Sequence, residues 1–151
     1  MIRIRAAASP EYVQIVRELF LEYRNLPGVI MKPGEAAGLP GEYGRPPGAL
    51  LVALDGRAGA GCVALRRLDD RTCEMKRLYV RPAYRGQGVG RNLVREIIAR
   101  GRRLGYERMR LDTRPSMKSA IALYRSIGFR EIPAYLSDPV PGAIFFDLEL
   151  R

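Results

Sequence analysis

Between Arg85 and Arg91 the chain reads Arg-Gly-Gln-Gly-Val-Gly-Arg, and here residue types and spacing bear most directly on chemistry. Gly86, Gly88 and Gly90 have no side chain to keep a ligand away from the backbone. The preceding run, Glu74 to Val80, has the character of a strand, and Arg81-Pro82 that of a turn. After the glycines, Val89, Leu93, Val94, Ile97, Ile98 and Leu104 form the apolar stripe of a helix. The first turn of a helix leaves N–H groups unpaired and carries a partial positive charge. Strand, glycine loop and helix start together predict an anion site, most naturally for a phosphate or pyrophosphate, with Arg85 and Arg91 placed to add charge-assisted bonds. The alternative is a tight strand-to-helix turn that holds nothing.

Two familiar phosphate loops do not fit. The nucleoside-triphosphate loop needs Lys-Ser/Thr after its last glycine, where this chain has Arg91-Asn92. The dinucleotide pattern Gly-x-Gly-x-x-Gly fails from either start, because its third glycine falls on Arg91 or on Leu93. What remains is Arg-x-x-Gly-x-Gly, Arg85 to Gly90.

The elements that position this loop follow from periodicity and punctuation. Met1 to Ala6 alternates as a first strand. Ser9 caps, and Pro10 starts, a helix running to about Asn25, with Val13, Val16, Leu19, Phe20 and Tyr23 on one face. Val29 to Gly48 is rich in Gly and Pro, with room for a short helix in Glu35 to Gly41. A loop this long is usually functional, the alternative being a plain surface connection. Ala49 to Leu54 and Ala60 to Leu68 are strands joined by Asp55-Gly56-Arg57-Ala58-Gly59, a hairpin signal. Cys73 to Val80 makes the third of three antiparallel strands. The helix after the glycine loop ends near Leu104 with Gly105 at its C′ position. Glu107 to Asp112 is a short strand. Ser116 or Ser119 caps a last helix carrying Ala120, Leu123, Tyr124 and Ile127, closed by Gly128, and Phe129 to Ile132 and Ala143 to Leu150 are the final strands. The order is β-α-loop-β-β-β-α-β-α-β-β in a single domain, residues 1–151.

Composition narrows the functional classes. No apolar stretch approaches the ~20 residues of a membrane helix, and Met1 to Arg5 lacks the apolar core of a signal peptide, so a cytoplasmic protein is expected. With no histidine and two cysteines, a metal site is not expected. Cys62 and Cys73 lie in strand-like runs; they could be neighbours across a hairpin, and the plainer expectation is two buried thiols. The net charge of +10 admits three explanations: a solvated surface, steering of an anionic cofactor, or a nucleic-acid footprint. Against the last, Arg95 to Arg110 holds one aromatic, Tyr106, and so no stacking platform.

The segment Arg85 to Gly90, with its strand and helix, resembles the acetyl-coenzyme A signature of the GNAT N-acetyltransferase superfamily. A second stretch, Ala-Ile-x-Leu-Tyr-x-x-x-Gly-Phe at Ala120 to Phe129, resembles the family's later motif, in the right order and at about the right distance. The resemblance covers nearly the whole chain and implies an α/β fold, a central, mostly antiparallel twisted sheet with helices on both faces. It implies that Leu78, Tyr79 and Val80 pair with the pantetheine arm of acetyl-CoA, with a backbone N–H, that of Leu78, facing the thioester carbonyl. It implies that the N–H groups of Gly86, Gln87, Gly88, Val89, Gly90 and Arg91 hold the pyrophosphate. Many relatives bond the pantetheine through an asparagine where this chain has Met117; Ser116 or Ser119 would substitute.

Acetyl transfer to an amine needs a positioned thioester, a neutral amine, donors for the developing oxyanion and a proton for the departing thiolate. Tyr124 occupies the family's tyrosine position and is expected to protonate the thiolate; the alternative is a core tyrosine. Glu74 stands near where many relatives place a carboxylate and is the expected base, directly or through a water; the alternative is a charge on the strand's solvent face. Asp112 is a second candidate. The expected acceptor is a primary amine of a small molecule or peptide, in a pocket built from Glu35 to Tyr43 and Ala134 to Pro141, where Glu35, Glu42, Tyr43 and Asp138 could meet it. A homodimer through the C-terminal strands is expected by analogy alone. A non-catalytic acyl-CoA-binding module, or a basic nucleic-acid-associated protein, are the competing readings.

Overall fold

Two interleaved apolar sets on one strand set the architecture. Along β2 (Ala49–Asp55), Ala49, Leu51 and Ala53 belong to one buried cluster, and Leu50, Val52 and Leu54 to another. A strand that buries both faces must lie in the middle of a layered structure. The computed structural model describes residues 1–151 and bears this out. Its elements are β1 (Ile2–Ala6), α1 (Pro10–Arg24), β2, β3 (Ala58–Arg67), β4 (Thr72–Val80), α2 (Val89–Arg103), β5 (Arg108–Thr113), α3 (Lys118–Ile127), β6 (Arg130–Ile132) and β7 (Ile144–Glu149).

The seven strands form one sheet in the order β1-β2-β3-β4-β5-β7-β6. Every neighbouring pair is antiparallel except β4 with β5. Those two strands flank α2, as a parallel pair needs a crossover element between its members. Val16, Leu19 and Phe20 of α1 cover one face of the sheet. Val89, Leu93, Val94, Ile97 and Ile98 of α2 and Tyr124 of α3 cover the other. The stripe expected on α2 is therefore the stripe that is buried, and truncating one of its fully enclosed members, such as Ile97 to alanine, costs about 2–5 kcal/mol.

Most expected boundaries fall within a residue or two of those observed. The β2–β3 turn tightens to Gly56-Arg57, with Gly56 at φ 60°. Two expectations are corrected. First, Ser116 and Ser119 do not cap α3: its N-cap is Met117, without a side-chain hydrogen bond, because the helix begins at Lys118 between the two serines. Second, Glu35 to Gly41 forms turns rather than a helix, and one 3-10 turn follows at Gly41–Tyr43. Cys62 and Cys73 are two buried, free thiols, as expected, and not neighbours across a hairpin: Cys62 stands opposite Tyr79, and Cys73 opposite Arg67. Burial pushes both thiols up, Cys73 to about 12. No helix is long and apolar enough to cross a membrane.

Candidate active site

The site begins where two parallel strands part. β4 and β5 pair only at Thr72–Glu74 with Arg108–Arg110. β4 then runs on to Val80 and β5 to Thr113 without further pairing, which opens a wedge in the middle of the sheet. Peptide groups along β4 after Glu74 face that wedge and can hydrogen-bond an extended ligand as a missing strand would.

A bulge in β4 sharpens the opening. Cys62 pairs with Tyr79 and Ala64 with Lys76, so Arg77 and Leu78 together stand opposite the single residue Val63. Arg77 takes φ 61°, the left-handed region, at a cost of about 1 kcal/mol or more for a non-glycine residue. The extra residue shifts the side-chain phase. Cys73 and Met75 lie on the α2 side, and Leu78 and Val80 return to that side, while Tyr79 joins the α1 side. The Arg77 side chain holds the bulge: its Nε and one terminal nitrogen donate to the two oxygens of Glu35 at 2.8 Å each, and its guanidinium lies 5.8 Å from the centre of the Tyr23 ring. Burial acts to raise the Glu35 carboxyl, but the bonds and charge of Arg77 outweigh it and hold the pKa below its ordinary value.

Two cavities meet at this wedge. The first is a groove of about 640 Å³ lined by Leu78, Tyr79, Val80, Arg85, Gly86, Gly88, Val89, Gly90 and Arg91 on one wall and Ser116 to Ala120 on the other. Gly86 and Gly88 have φ 78° and 80°, which glycine adopts freely, and a Cβ added at either would stand in open space. A ligand can therefore reach the loop's backbone. Gly88 is the N-cap of α2, with no side-chain bond and no acidic residue in the first turn, where Arg91 stands instead. That leaves the helix's positive end uncompensated, and with the open backbone it fits a pyrophosphate. Within the chain Arg85 donates to the Val80 carbonyl at 3.0 Å and lies over the Tyr79 ring, Arg91 donates to the Ser126 hydroxyl at 3.1 Å, and Gln87 donates to the Ala83 carbonyl at 3.2 Å. The loop's entry is tied to α1: Arg81 donates to both oxygens of Glu22 at 2.7–3.1 Å and to the Gly59 carbonyl at 2.9 Å, and the Tyr79 hydroxyl donates to Glu22 at 3.1 Å.

The second cavity, about 460 Å³, is lined by Met75 to Leu78 of β4, Leu111 to Thr113 of β5, Tyr124, and parts of the runs 28–43 and 136–140. Both expected pocket segments contribute to it. Tyr23, Leu78, Met117 and Ala120 line both cavities, so groove and pocket join beside the bulge.

Tyr124 packs edge-on against Phe129 at 5.7 Å and near Phe146 at 6.3 Å, yet it lines the second cavity and its hydroxyl makes no hydrogen bond within the chain. It is a core ring that also borders the cavity. Burial, then the charges of Tyr23 and Asp112, push its pKa well above the usual phenol value, so it carries its proton at neutral pH.

Glu74 is elsewhere. It is fully buried, accepts from Arg66 Nε at 2.7 Å and from the Tyr135 hydroxyl at 2.6 Å, lies 3.8 Å from the Lys76 ammonium, and does not line the cavity. Neither direct contact with an amine nor a place on the solvent face describes it. Its neighbours Arg66 and Lys76 do line the cavity, so Glu74 backs the wall they form. Asp112 faces the cavity, with Arg114 at 3.4 Å. Glu35 and Tyr43 are wall residues bonded to each other at 3.4 Å, Glu42 pairs with Arg66 at 3.4 Å, and Asp138 is exposed. Sequence reasoning missed Arg77, Arg66, Lys76 and Tyr23. No local signal marks an arginine for a left-handed backbone, and Arg77 and Tyr23 matter through partners far away in the chain. No group of three or more His, Cys, Asp or Glu side chains is placed to hold a metal ion.

Comparison with known proteins adds an independent line. The model of the acetyltransferase (GNAT) family matches residues 13–129. An uncharacterized N-acetyltransferase of Schizosaccharomyces pombe is 44% identical over 111 residues, 72% of this chain and 68% of that protein. Among solved structures, a GNAT-family acetyltransferase of Staphylococcus aureus superposes with a TM-score of 0.85 at 20% identity, covering 100% of both chains. A putative acetyltransferase of Salmonella typhimurium, solved with its cofactor acetyl-CoA, superposes with a TM-score of 0.74 at 20% identity, covering 99% of this chain and 94% of that one. The structural likenesses concern the fold.

Proposed function

Because the chain belongs to the acetyltransferase (GNAT) family, we propose that it is an N-acetyltransferase that uses acetyl-CoA as co-substrate in the groove and takes a primary amine of a small molecule or peptide in the adjoining cavity. The observation that carries this reading is the junction of the two cavities beside the β4 bulge, where Leu78, Met117 and Ala120 belong to both. The Salmonella neighbour's acetyl-CoA supports the choice of co-substrate.

Acetyl-CoA supplies an acyl carbon already activated by its thioester, so the chain needs no nucleophile of its own. The backbone N–H groups of Gly86 to Arg91 and the start of α2 bind the pyrophosphate. The freed edge of β4 from Leu78 to Val80 pairs with the pantetheine arm, and the hydroxyls of Ser116 and Ser119, on the opposite wall, replace the polar contact that Met117 cannot make. The Leu78 N–H, set by the bulge, stabilises negative charge developing on the carbonyl oxygen. Asp112, the cavity carboxylate carried on β5, takes the amine's proton directly or through water, and Tyr124 gives its proton to the departing sulfur. Glu74 acts by holding Arg66 and Lys76 in place rather than by touching the amine.

The test is calorimetric titration with acetyl-CoA and desulfo-CoA, together with thiol release over a panel of amines. Saturable binding and amine-dependent thiol release are expected. Binding without thiol release on any amine would leave an acyl-CoA-binding module. No binding would overturn the reading and direct attention to nucleic acids and other phosphate ligands.

A further inference from the structure

The walls of the acceptor cavity hold more buried cations than buried carboxylates. Arg66, Lys76, Arg77 and Arg114 line it with side chains at most 24% exposed. The carboxylates buried with them are three: Glu35 and Asp112 on the wall and Glu74 behind it, which leaves four cations against three anions. Pairing identifies the surplus cation. Arg77 takes both oxygens of Glu35, and Arg114 is with Asp112. Arg66 holds Glu74 Oε1 at 2.7 Å, while the other Glu74 oxygen accepts from Tyr135. Lys76 makes no hydrogen bond within the chain, and its nearest carboxylate oxygen, at 3.8 Å, is the one Arg66 already holds. Of the remaining charged groups, Lys32 and Asp138 stand exposed to water, and Glu42, also exposed, reaches Arg66 at 3.4 Å and gives Lys76 no partner. Burial lowers the Lys76 pKa, the direction expected of an ammonium short of partners.

A buried cation without a full set of partners is costly unless something supplies the missing anion. We infer that the acceptor brings it: the amine substrate carries a carboxylate, as an amino acid does, and Lys76 binds that carboxylate as the specificity-determining residue of the cavity. A cavity of about 460 Å³ suits an acceptor of that size. The acids that sequence alone offered for a cationic acceptor are already engaged or exposed, Glu35 by Arg77 and Glu42 by Arg66, and so do not argue for a polyamine.

The inference rests on the N-acetyltransferase reading, and one experiment separates the two. Acetyl-CoA binding is measured by calorimetry. Thiol release is measured with amino acids, with the amines left by removing their carboxyl groups, and with a phosphate-bearing amine, in wild type, Lys76→Met and Lys76→Arg. Carboxylate-bearing amines should show kcat/KM at least about tenfold above their decarboxylated counterparts. Lys76→Met should lower kcat/KM for the former about 100-fold, mainly through KM, and much less for their decarboxylated counterparts, with acetyl-CoA affinity within about threefold; Lys76→Arg should recover part of the loss. Equal or better use of decarboxylated amines, or of the phosphate-bearing amine, overturns the inference, and that comparison needs only the wild-type protein. Acetyl-CoA binding without thiol release on any carboxylate-bearing amine also overturns it and leaves the cofactor site standing. Absence of acetyl-CoA binding overturns the reading beneath it.

Discussion

The starts of α1 and α2 are built in opposite ways. Ser9 closes α1: its hydroxyl accepts from the Tyr12 N–H at 3.2 Å, Pro10 fills the first position, and Glu11 faces the positive end of the helix. Both helices are 15 residues long, yet α2 starts with a left-handed Gly88, no side-chain cap and an arginine in its first turn. One terminus is completed by its own sequence, and the other is left with donors and positive charge that a ligand must complete. The same contrast recurs inside the wedge. Every oxygen of Glu74 is engaged within the chain, while the Tyr124 hydroxyl, on the cavity wall, is unclaimed. Saturated groups hold the structure, and the groups left open mark the chemistry.

Four changes would break or sharpen this contrast. The largest effect is expected from Gly88→Glu, which sets a carboxylate at the proposed pyrophosphate site: acetyl-CoA affinity in calorimetry should fall about 1,000-fold or more, roughly 4 kcal/mol. Gly88→Ala, which carries the same backbone strain without the charge, should lose far less, and equal losses would show that charge at this helix start is irrelevant. Glu74→Gln comes next. With Arg66 and Lys76 left against a neutral amide, stability in chemical denaturation should drop by about 3 kcal/mol; a drop under about 1 kcal/mol would mean that Glu74 does not support the wall. Tyr124→Phe should lower kcat about 100-fold, roughly 2.7 kcal/mol, with acetyl-CoA affinity unchanged. Because burial raises the phenol above its ordinary value, its ionisation should produce no fall in kcat below about pH 10. An alkaline limb that appears below that pH in wild type and vanishes in the phenylalanine variant would contradict this assignment. Ser9→Ala is the mildest: about 1 kcal/mol of stability, visible as a lower Tm, and no change in acetyl-CoA binding.

What was legible in the sequence follows the same division. Self-completing features announce themselves locally. Ser9-Pro10, the Asp55-Gly56 hairpin, the α2 stripe and the glycine punctuation at Gly105 and Gly128 each depend on residues within one or two turns, and the structure has them where expected. The glycine loop was legible too, because an open backbone at an uncapped helix start also has a local signature. Features that depend on distant partners were not legible. Nothing near Glu74 tells that Tyr135, 61 residues later, bonds its carboxylate, and the expectation of an accessible base there did not anticipate its full burial. The bulge was equally hidden, since its left-handed residue is an arginine rather than a glycine and its support comes from Glu35, 42 residues earlier. The α3 start misled because two serines flank it, and the helix begins between them.

The Arg77–Glu35 pair also bears on redesign. Exchanging the segment 29–48 for another would be the direct way to retool the protein for a new acceptor, since that segment lines the cavity and contains no strand of the sheet. The pair makes the segment less modular than it looks. A donor segment without a carboxylate at position 35 would leave a buried guanidinium unanswered and loosen the bulge that sets Leu78. A graft chosen for its pocket alone would therefore disturb the strand proposed to hold the thioester for every acceptor, and a workable graft must bring its own counterpart to Arg77.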